Sequence, residues 1–346
     1  MAGFGVEEED QPTLLSSTYT FKDSLKVVLE KAVEISILPD LFLPKYMAAA
    51  RYDFSRYLKS LMIIDVPSKC KSTRENGALL AALVKANQTD DKVRQASGQL
   101  LTEAELSGNI FVLAAAGYET TASTITNAIY ILSINPEVQE WVREEIRNVV
   151  DEYGWNYATV FPKLVRCLSI MYETLRIYGV VDSVIRHTRE HTIFDFTDVA
   201  ELDRRLPARI EVPPNIHTIP VIGSLHTHPL FWGSKSLDFD PKRWIKRDLS
   251  KPPSEALENP AQKDTFFPWS GGLLACIGKK FSQVEFVATI SHILYDRWIV
   301  PIPLDEEDEP ALQRRVLSIL ESVELSPGRK MIEPQKVSFR FPKVRV

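Results

Sequence analysis

The stretch Phe266–Phe286, FFPWSGGLLACIGKKFSQVEF, sets one cysteine in a tight, glycine-bearing loop directly ahead of an amphipathic helix. Gly271, Gly272 and Gly278 let the backbone turn closely on both sides of Cys276. The helix that follows presents its positive end and free N–H groups to a nearby anion. A thiolate at Cys276 is favoured by that field. A free cysteine is by default a small buried hydrophobe, so the surroundings must decide. A phosphate-binding loop fails: Leu273 stands where G-x-x-x-x-G-K-[ST] needs its first glycine, and Lys280 where it needs Ser or Thr. The loop points instead to a soft metal bound through one sulfur.

Composition narrows the field. The chain has 346 residues, 45% hydrophobic and 25% charged, an ordinary globular balance. A formal charge of -5 and a pI near 5.8 argue against nucleic-acid binding, which wants a basic face. Cys70, Cys167 and Cys276 stand far apart. They form neither a disulfide framework nor a zinc site, and they suit a reducing compartment. The N-terminus MAGFGVEEEDQP lacks the basic start and apolar run of a signal peptide. No stretch reaches the ~20 apolar residues that cross a bilayer, so the chain as written is expected to be soluble.

Outward from the loop, periodicity predicts helices first and strands later. KDSLKVVLEKAVEISIL and AAARYDFSRYLKSLMII repeat apolar residues at three- and four-residue steps, and KANQTDDKVRQASGQ reads as an exposed loop. Thr102 and Glu105 form a capping box for a helix running to Ser133, about 45 Å long at 1.5 Å per residue. Asn135-Pro136 predicts the N-cap and first residue of the next helix, with Val138, Trp141, Ile146 and Val149 on one face and a stop near Gly154. A further helix is expected from about Pro162 to Tyr178. TIFDFTDV, RIEVPP and IHTIPVIGSLH read as short strands. Pro229 to Pro268 is irregular; one helix follows the loop and leads into terminal strands such as KVSFRF. The expected fold class is mainly α with small β-sheets.

Two stretches carry chemistry of their own. AAAGYETTAS (114–123) places Gly117 and Thr120-Thr121 at the centre of the long helix, where glycine costs ~1 kcal/mol against alanine. Close helix packing is one reason; space above a flat cofactor, with a hydroxyl and a carboxylate facing it, is the other. In YETLR, Glu173 and Arg176 sit three apart and can pair, a pair worth almost nothing on an exposed helix. His226 and His228 in LHTHP have metal-like spacing but no third ligand near them. Lys279 and Lys280 oppose the dipole of the helix they begin, as a docking face for an acidic electron donor or as a solvated pair.

Together these stretches resemble the cytochrome P-450 family. Its haem-ligand signature F-x-x-G-x-R-x-C-x-G is matched by Gly272, Cys276 and Gly278, with Trp269 in the aromatic place, and KKFSQVEF resembles fungal members. Ala116, Gly117, Glu119, Thr120 and Thr121 match A-G-x-[DE]-T-[TS], YETLR matches E-x-x-R, and FDPKRW resembles the segment bearing its third partner, Arg243. The resemblance implies the cytochrome P-450 fold with haem b, and Cys276 as axial thiolate of the haem iron. Thiolate ligation favours O–O cleavage. It further implies that Thr120 helps protonate bound dioxygen, that Glu119 assists the relay, and that Glu173, Arg176 and Arg243 lock the region beneath the haem. Arg186 lies where members often bind a haem propionate. One position departs: the basic residue two before the cysteine is Leu274, a loss worth roughly 1.5–3 kcal/mol.

The implied activity is that of a monooxygenase inserting one oxygen atom of dioxygen into a lipophilic small molecule, in secondary metabolism by association with the fungal phrasing. Electrons would come from NADPH through a separate reductase, since no G-x-G-x-x-G motif appears. Residues 1–346 are expected to form one partial domain: a helical region 1–100, central helices 102–178, then strands, meander, haem loop and last helix over 180–346. Only about a hundred residues precede the long helix, so a member truncated or mis-started at the N-terminus is expected. A full-length form with the usual anchor would sit at the endoplasmic reticulum membrane, and this chain alone would be soluble and cytoplasmic. Phe111, Ala115 and Val180–Val184 are candidate pocket residues. A degenerate member with weak or no haem binding and a cofactor-free helical interaction protein are the alternatives.

Overall fold

The computed structural model describes residues 18–31, 34–35, 38–63, 101–197, 199, 203, 207–247, 255–260, 265–325 and 328–344. Cys70 and the polar stretch 85–99 lie outside them. The chain divides into two compact units, residues 1–118 and 119–346. No described helix is long and apolar enough to cross a membrane.

In the first unit, α1 (Phe21–Glu30) opens where Thr20 accepts the Asp23 N–H, and α2 spans Lys45–Ile63. Leu25 and Val28 of α1 meet Met47, Phe54 and Tyr57 of α2, with Leu106 and Ile110 from the start of the long helix. The buried Asp53 carboxylate takes the amides of Thr18 and Tyr19 at 2.8 and 3.0 Å, tying down the approach to α1. Phe111 packs edge-on against Phe54 in this unit.

The long helix α3 covers Glu103–Ser133, 31 residues. Its capping box is made: Thr102 N–H donates to Glu105 Oε2 at 2.8 Å, and Glu105 N–H to Thr102 Oγ1 at 3.2 Å. In the second unit its C-terminal half packs with α4 (Pro136–Tyr153), α5 (Val165–Ile177) and the helix Lys279–Asp296 around Leu132, Ile146, Ile170, Phe286 and Ile290. α4 opens as expected, with Asn135 at the N-cap and Pro136 first. Its buried face runs through Val138, Val142, Ile146 and Val150, and Trp141 and Val149 pack partly buried against the same core. The Asn135 side chain does not cap α4; its amide donates back to the Ile131 carbonyl at 2.6 Å, closing the end of α3 instead. Gly154 ends α4 at φ 66°.

The helix expected from Pro162 begins at Val165, because Phe161–Lys163 is a 3-10 turn containing that proline. Then come β1 (Arg186–His187), β2 (Thr192–Asp195), β3 (Arg209–Val212) and β4 (His217–Thr218). β1 pairs with β4 and β2 with β3, both antiparallel. The second half of IHTIPVIGSLH is not strand but α6 (Ile222–Thr227). The irregular region holds a single helical turn (Pro229–Trp232), a 3-10 turn (Pro241–Trp244) and the pair β5 (Ile245–Arg247) with β6 (Glu255–Leu257).

After the cysteine loop comes α7 (Lys279–Asp296), then β7 (Val300–Pro301). A further helix, α8 (Glu309–Glu321), stands where only strands were expected. Asp308 caps it by accepting the Ala311 N–H at 2.8 Å, and Arg315 forks onto Glu307. Its Val316, Ile319 and Leu320 bury against Tyr130 and Ile131 of α3. β8 (Val323–Leu325) pairs with β9 (Arg329–Met331), and β10 (Phe339–Arg340) returns to β7. The described residues therefore form a helical body with five small two-stranded antiparallel sheets.

Candidate functional site

The loop around Cys276 is closed by its own backbone. The Cys276 N–H donates to the Trp269 carbonyl at 2.8 Å. Between them Ser270 (φ 60°) and Gly272 (φ 66°) take left-handed conformations, and Gly272–Leu274 makes one 3-10 turn. Gly278 then starts α7 at φ -82°, so only Gly272 of the three glycines uses the left-handed freedom. The Trp269 indole N–H donates to Ser282 Oγ at 3.1 Å. That fastens the front of the loop to the first turn of α7. Lys279 Nζ lies 5.2 Å over the Trp269 ring and Lys280 Nζ 3.8 Å over Phe161. Both lysines find aromatic faces, which offsets their conflict with the helix dipole.

Cys276 itself is exposed, so the default reading of a buried hydrophobe does not hold for it. Cys167, on α5, is the buried one, and burial pushes its thiol well up. Leu273, Leu274 and Ile277 flank Cys276 and are also exposed, Leu274 at 68%. A sulfur within a rim of solvent-facing leucine and isoleucine is a poor surface for water and a good seat for a flat apolar group. Arg186, on β1, donates from its guanidinium to Ser270 Oγ within the same loop. One cation is thus brought 84 residues along the chain to the cysteine loop. No cation stands at 274.

Along α3, a Cβ built on Gly117 meets no atom within 4 Å. Among the described residues, no neighbouring helix packs closely on the glycine. Glu119 pairs with Lys330 of β9 at 3.4 Å. Thr120 is half-buried, and its carbonyl accepts the Thr124 hydroxyl at 2.9 Å. Thr121 is buried.

Glu173 and Arg176 are fully buried and paired by two bonds of 2.8 Å. The sequence reading weighed this pair as an exposed one; burial changes its weight. Glu173 also accepts Arg243 Nε at 3.0 Å, the Asp240 N–H at 2.9 Å and the Trp244 indole N–H at 2.9 Å. Arg176 spends its remaining donors on the carbonyls of His226, Ser236 and Asp238, and its guanidinium lies 4.9 Å from the Trp232 ring centre. All five guanidinium N–H groups are used. Sequence reasoning missed Trp244 and read His226 only as half of a metal-like pair. Trp244 adjoins Arg243 in FDPKRW, and a tryptophan beside a buried carboxylate is a natural donor.

A model of the cytochrome P450 family matches residues 4–319. The chain belongs to that family. It is 27% identical over 348 residues to a phomenoic acid biosynthesis cluster cytochrome P450 monooxygenase of Leptosphaeria maculans, covering 92% of this chain and 58% of the relative. It is 27% identical over 322 residues to cytochrome P450 monooxygenase 124 of Postia placenta, covering 90% and 56%. A solved crystal structure of a cytochrome P450 shares the fold with a TM-score of 0.61 at 19% identity, covering 93% of this chain and 67% of the other. The chain thus spans rather more than half the length of these curated P450 relatives. The P450 fold accounts for the mainly helical body with small sheets.

The residues present fit the family's haem. An exposed sulfur at a helix start, an apolar rim and a guanidinium on the loop are what a thiolate-ligated macrocycle with carboxylate arms needs. Position 274 alone runs against it.

Proposed function

We propose that this chain carries the haem-ligating part of a monooxygenase acting on a lipophilic small molecule, with Cys276 as the sulfur ligand. The observation that carries the reading is the exposed Cys276 within an apolar rim, with Arg186 on the same loop. Haem, when bound, supplies the activation of dioxygen and the transfer of one oxygen atom.

The chain's own residues then have separate tasks. Cys276 ligates through Sγ, held by its N–H on the Trp269 carbonyl. Gly272 turns the loop and Gly278 starts α7 beside the sulfur. Arg186 would hold one haem carboxylate, and Gly117 keeps α3 free of a side chain at its position. The Thr120 hydroxyl donates a proton, and the Glu119 carboxylate, in contact with Lys330, resupplies it. Glu173, Arg176 and Arg243 hold the segment 226–244 in place and touch no reacting atom. Electrons come from NADPH through a separate reductase. The name of the Leptosphaeria maculans relative, a biosynthesis-cluster monooxygenase, supports a substrate from secondary metabolism.

The test is spectroscopic. The full chain is loaded with haem, reduced and exposed to carbon monoxide, which is expected to give the red-shifted Soret band of thiolate ligation. Cys276→Ser is expected to bind haem without that shift. Identical spectra for the two proteins overturn the assignment of Cys276. A second reading, a member that holds haem weakly, is favoured by the exposed Leu274 where the family carries a cation.

A further inference from the structure

His226 and His228 drew attention in the sequence as a possible metal pair, and the function above gives them no part. The structure separates them. His228 Nδ1 accepts the Leu230 N–H at 3.2 Å and caps the turn Pro229–Trp232. His226 does something else.

Its ring is 1% exposed. Nε2 accepts the Phe267 N–H at 3.1 Å. An imidazole that accepts at Nε2 is neutral and carries its proton on Nδ1. The backbone carbonyl of His226 accepts Arg176 Nη1 at 3.1 Å. Phe266 and Phe267 enclose the ring, with centroids 5.0 and 5.9 Å away. Burial, with the Arg176 charge alongside, holds the imidazole down to about 4, so Nε2 stays an acceptor.

Phe267 stands two residues before Trp269, whose carbonyl holds the Cys276 amide. A short chain of bonds therefore leads from the buried Glu173–Arg176 pair, through residue 226, to the backbone that carries the sulfur. We infer that His226 is a positioning residue for the Cys276 loop, its Nε2 fixing the entry of that loop against α5 and α6. The inference rests on the haem reading only in its spectroscopic arm.

The experiment compares variants of the full chain by amide hydrogen exchange without haem. His226→Phe removes the acceptor. His226→Asn keeps a polar side chain but, being shorter, withdraws the acceptor from Phe267, and it serves if the phenylalanine variant does not fold. His226→Gln restores an oxygen near the Nε2 position. Ile222→Ala, in the same helix and also buried, controls for general loosening of α6. Exchange in the peptide 265–278 is expected to rise at least tenfold in the Phe or Asn variant, beyond the Ile222→Ala control, and to return toward wild type in the Gln variant. With haem and carbon monoxide, the red-shifted fraction is expected to fall and recover in the same order. Loop exchange no faster than in the control overturns the inference, as does failure of glutamine to rescue it. If the wild-type chain shows no red-shifted band at all, the haem reading fails while the exchange arm still decides the role of His226.

Discussion

Lys330 Nζ stands 3.4 Å from Glu119 Oε1, joining strand β9 to the long helix at the acid of its glycine–acid–threonine stretch. The two side chains are 44% and 23% exposed, so the pair contributes little stability, about 0.2–1 kcal/mol. Its consequence is where the carboxylate stands. If Glu119 supplies protons, Glu119→Gln is expected to lower product formation by about 10²–10⁴-fold. Lys330→Met should lower it far less and cost under about 1 kcal/mol in urea unfolding. Product formed per NADPH consumed, with a reductase present, checks both. Equal losses in the two variants would move the effect from the carboxylate to the ion pair.

Glu173 makes the second prediction. Five donors converge on one carboxylate with no solvent contact. Removing one member of a buried pair typically costs 3–5 kcal/mol, because the partner keeps its charge without compensation. Glu173→Gln is therefore expected to lose about that much, a large share of a domain's 5–15 kcal/mol. Arg243→Ala should cost less, since Arg243 is partly exposed and Arg176 still neutralises Glu173. Urea midpoints of the two variants without haem test the order. A milder effect at Glu173 than at Arg243 would contradict the network.

What could be read from the sequence was what short range determines. The Thr102–Glu105 box and the left-handed Gly272 depend on residues within a few positions, and both are found. Helix α8 has a local signal too, Asp308 followed by Pro310, which the expectation of strands alone in that region passed over. The apolar spacing of α4 put Val138, Trp141, Ile146 and Val149 on one face, and all four lie in or against one core, to which Val142 and Val150 add. At Glu173 the spacing suggested one partner. The amide of Asp240 and the indole of Trp244 arrive from 67 and 71 residues away, and no local pattern encodes them. His226 shows the same limit: its partners, Arg176 and Phe267, lie 50 and 41 residues away.

Leu274 offers a gain-of-function test. It is 68% exposed, so replacing it disturbs no packing. A charged hydrogen bond to a haem carboxylate is worth roughly 1.5–3 kcal/mol, about ten- to a hundredfold in retention. Leu274→Arg is thus expected to slow haem transfer to apomyoglobin by that factor, with Leu274→Met unchanged. Transfer as fast in the arginine variant as in wild type would mean that position 274 does not face a haem carboxylate.

The pH dependence of stability carries the last prediction, through two buried groups of opposite sign. His226 is lowered from 6.5 to about 4, chiefly by burial and also by Arg176. Between those values the unfolded chain binds a proton that the folded chain refuses, so the contribution is full above pH 6.5 and is lost on acidification. It changes by about 1.4 kcal/mol per pH unit. Glu145 is raised from 4.5 to about 7 by burial, against the amides of Arg166 and Cys167 and the Arg166 charge, with Glu255 adding to the rise. Here the folded chain keeps a proton that the unfolded one releases, so stability falls as pH climbs through that range. The two slopes oppose each other where the windows overlap, and the wild-type curve alone conceals both. Subtraction separates them. Without haem, wild type minus His226→Gln is expected to rise with pH between about 4.5 and 6.5, and wild type minus Glu145→Gln to fall. Urea unfolding at half-unit pH steps measures both differences. A flat first difference would mean that the imidazole is protonated in the fold. Its Nε2 then could not hold the Phe267 amide.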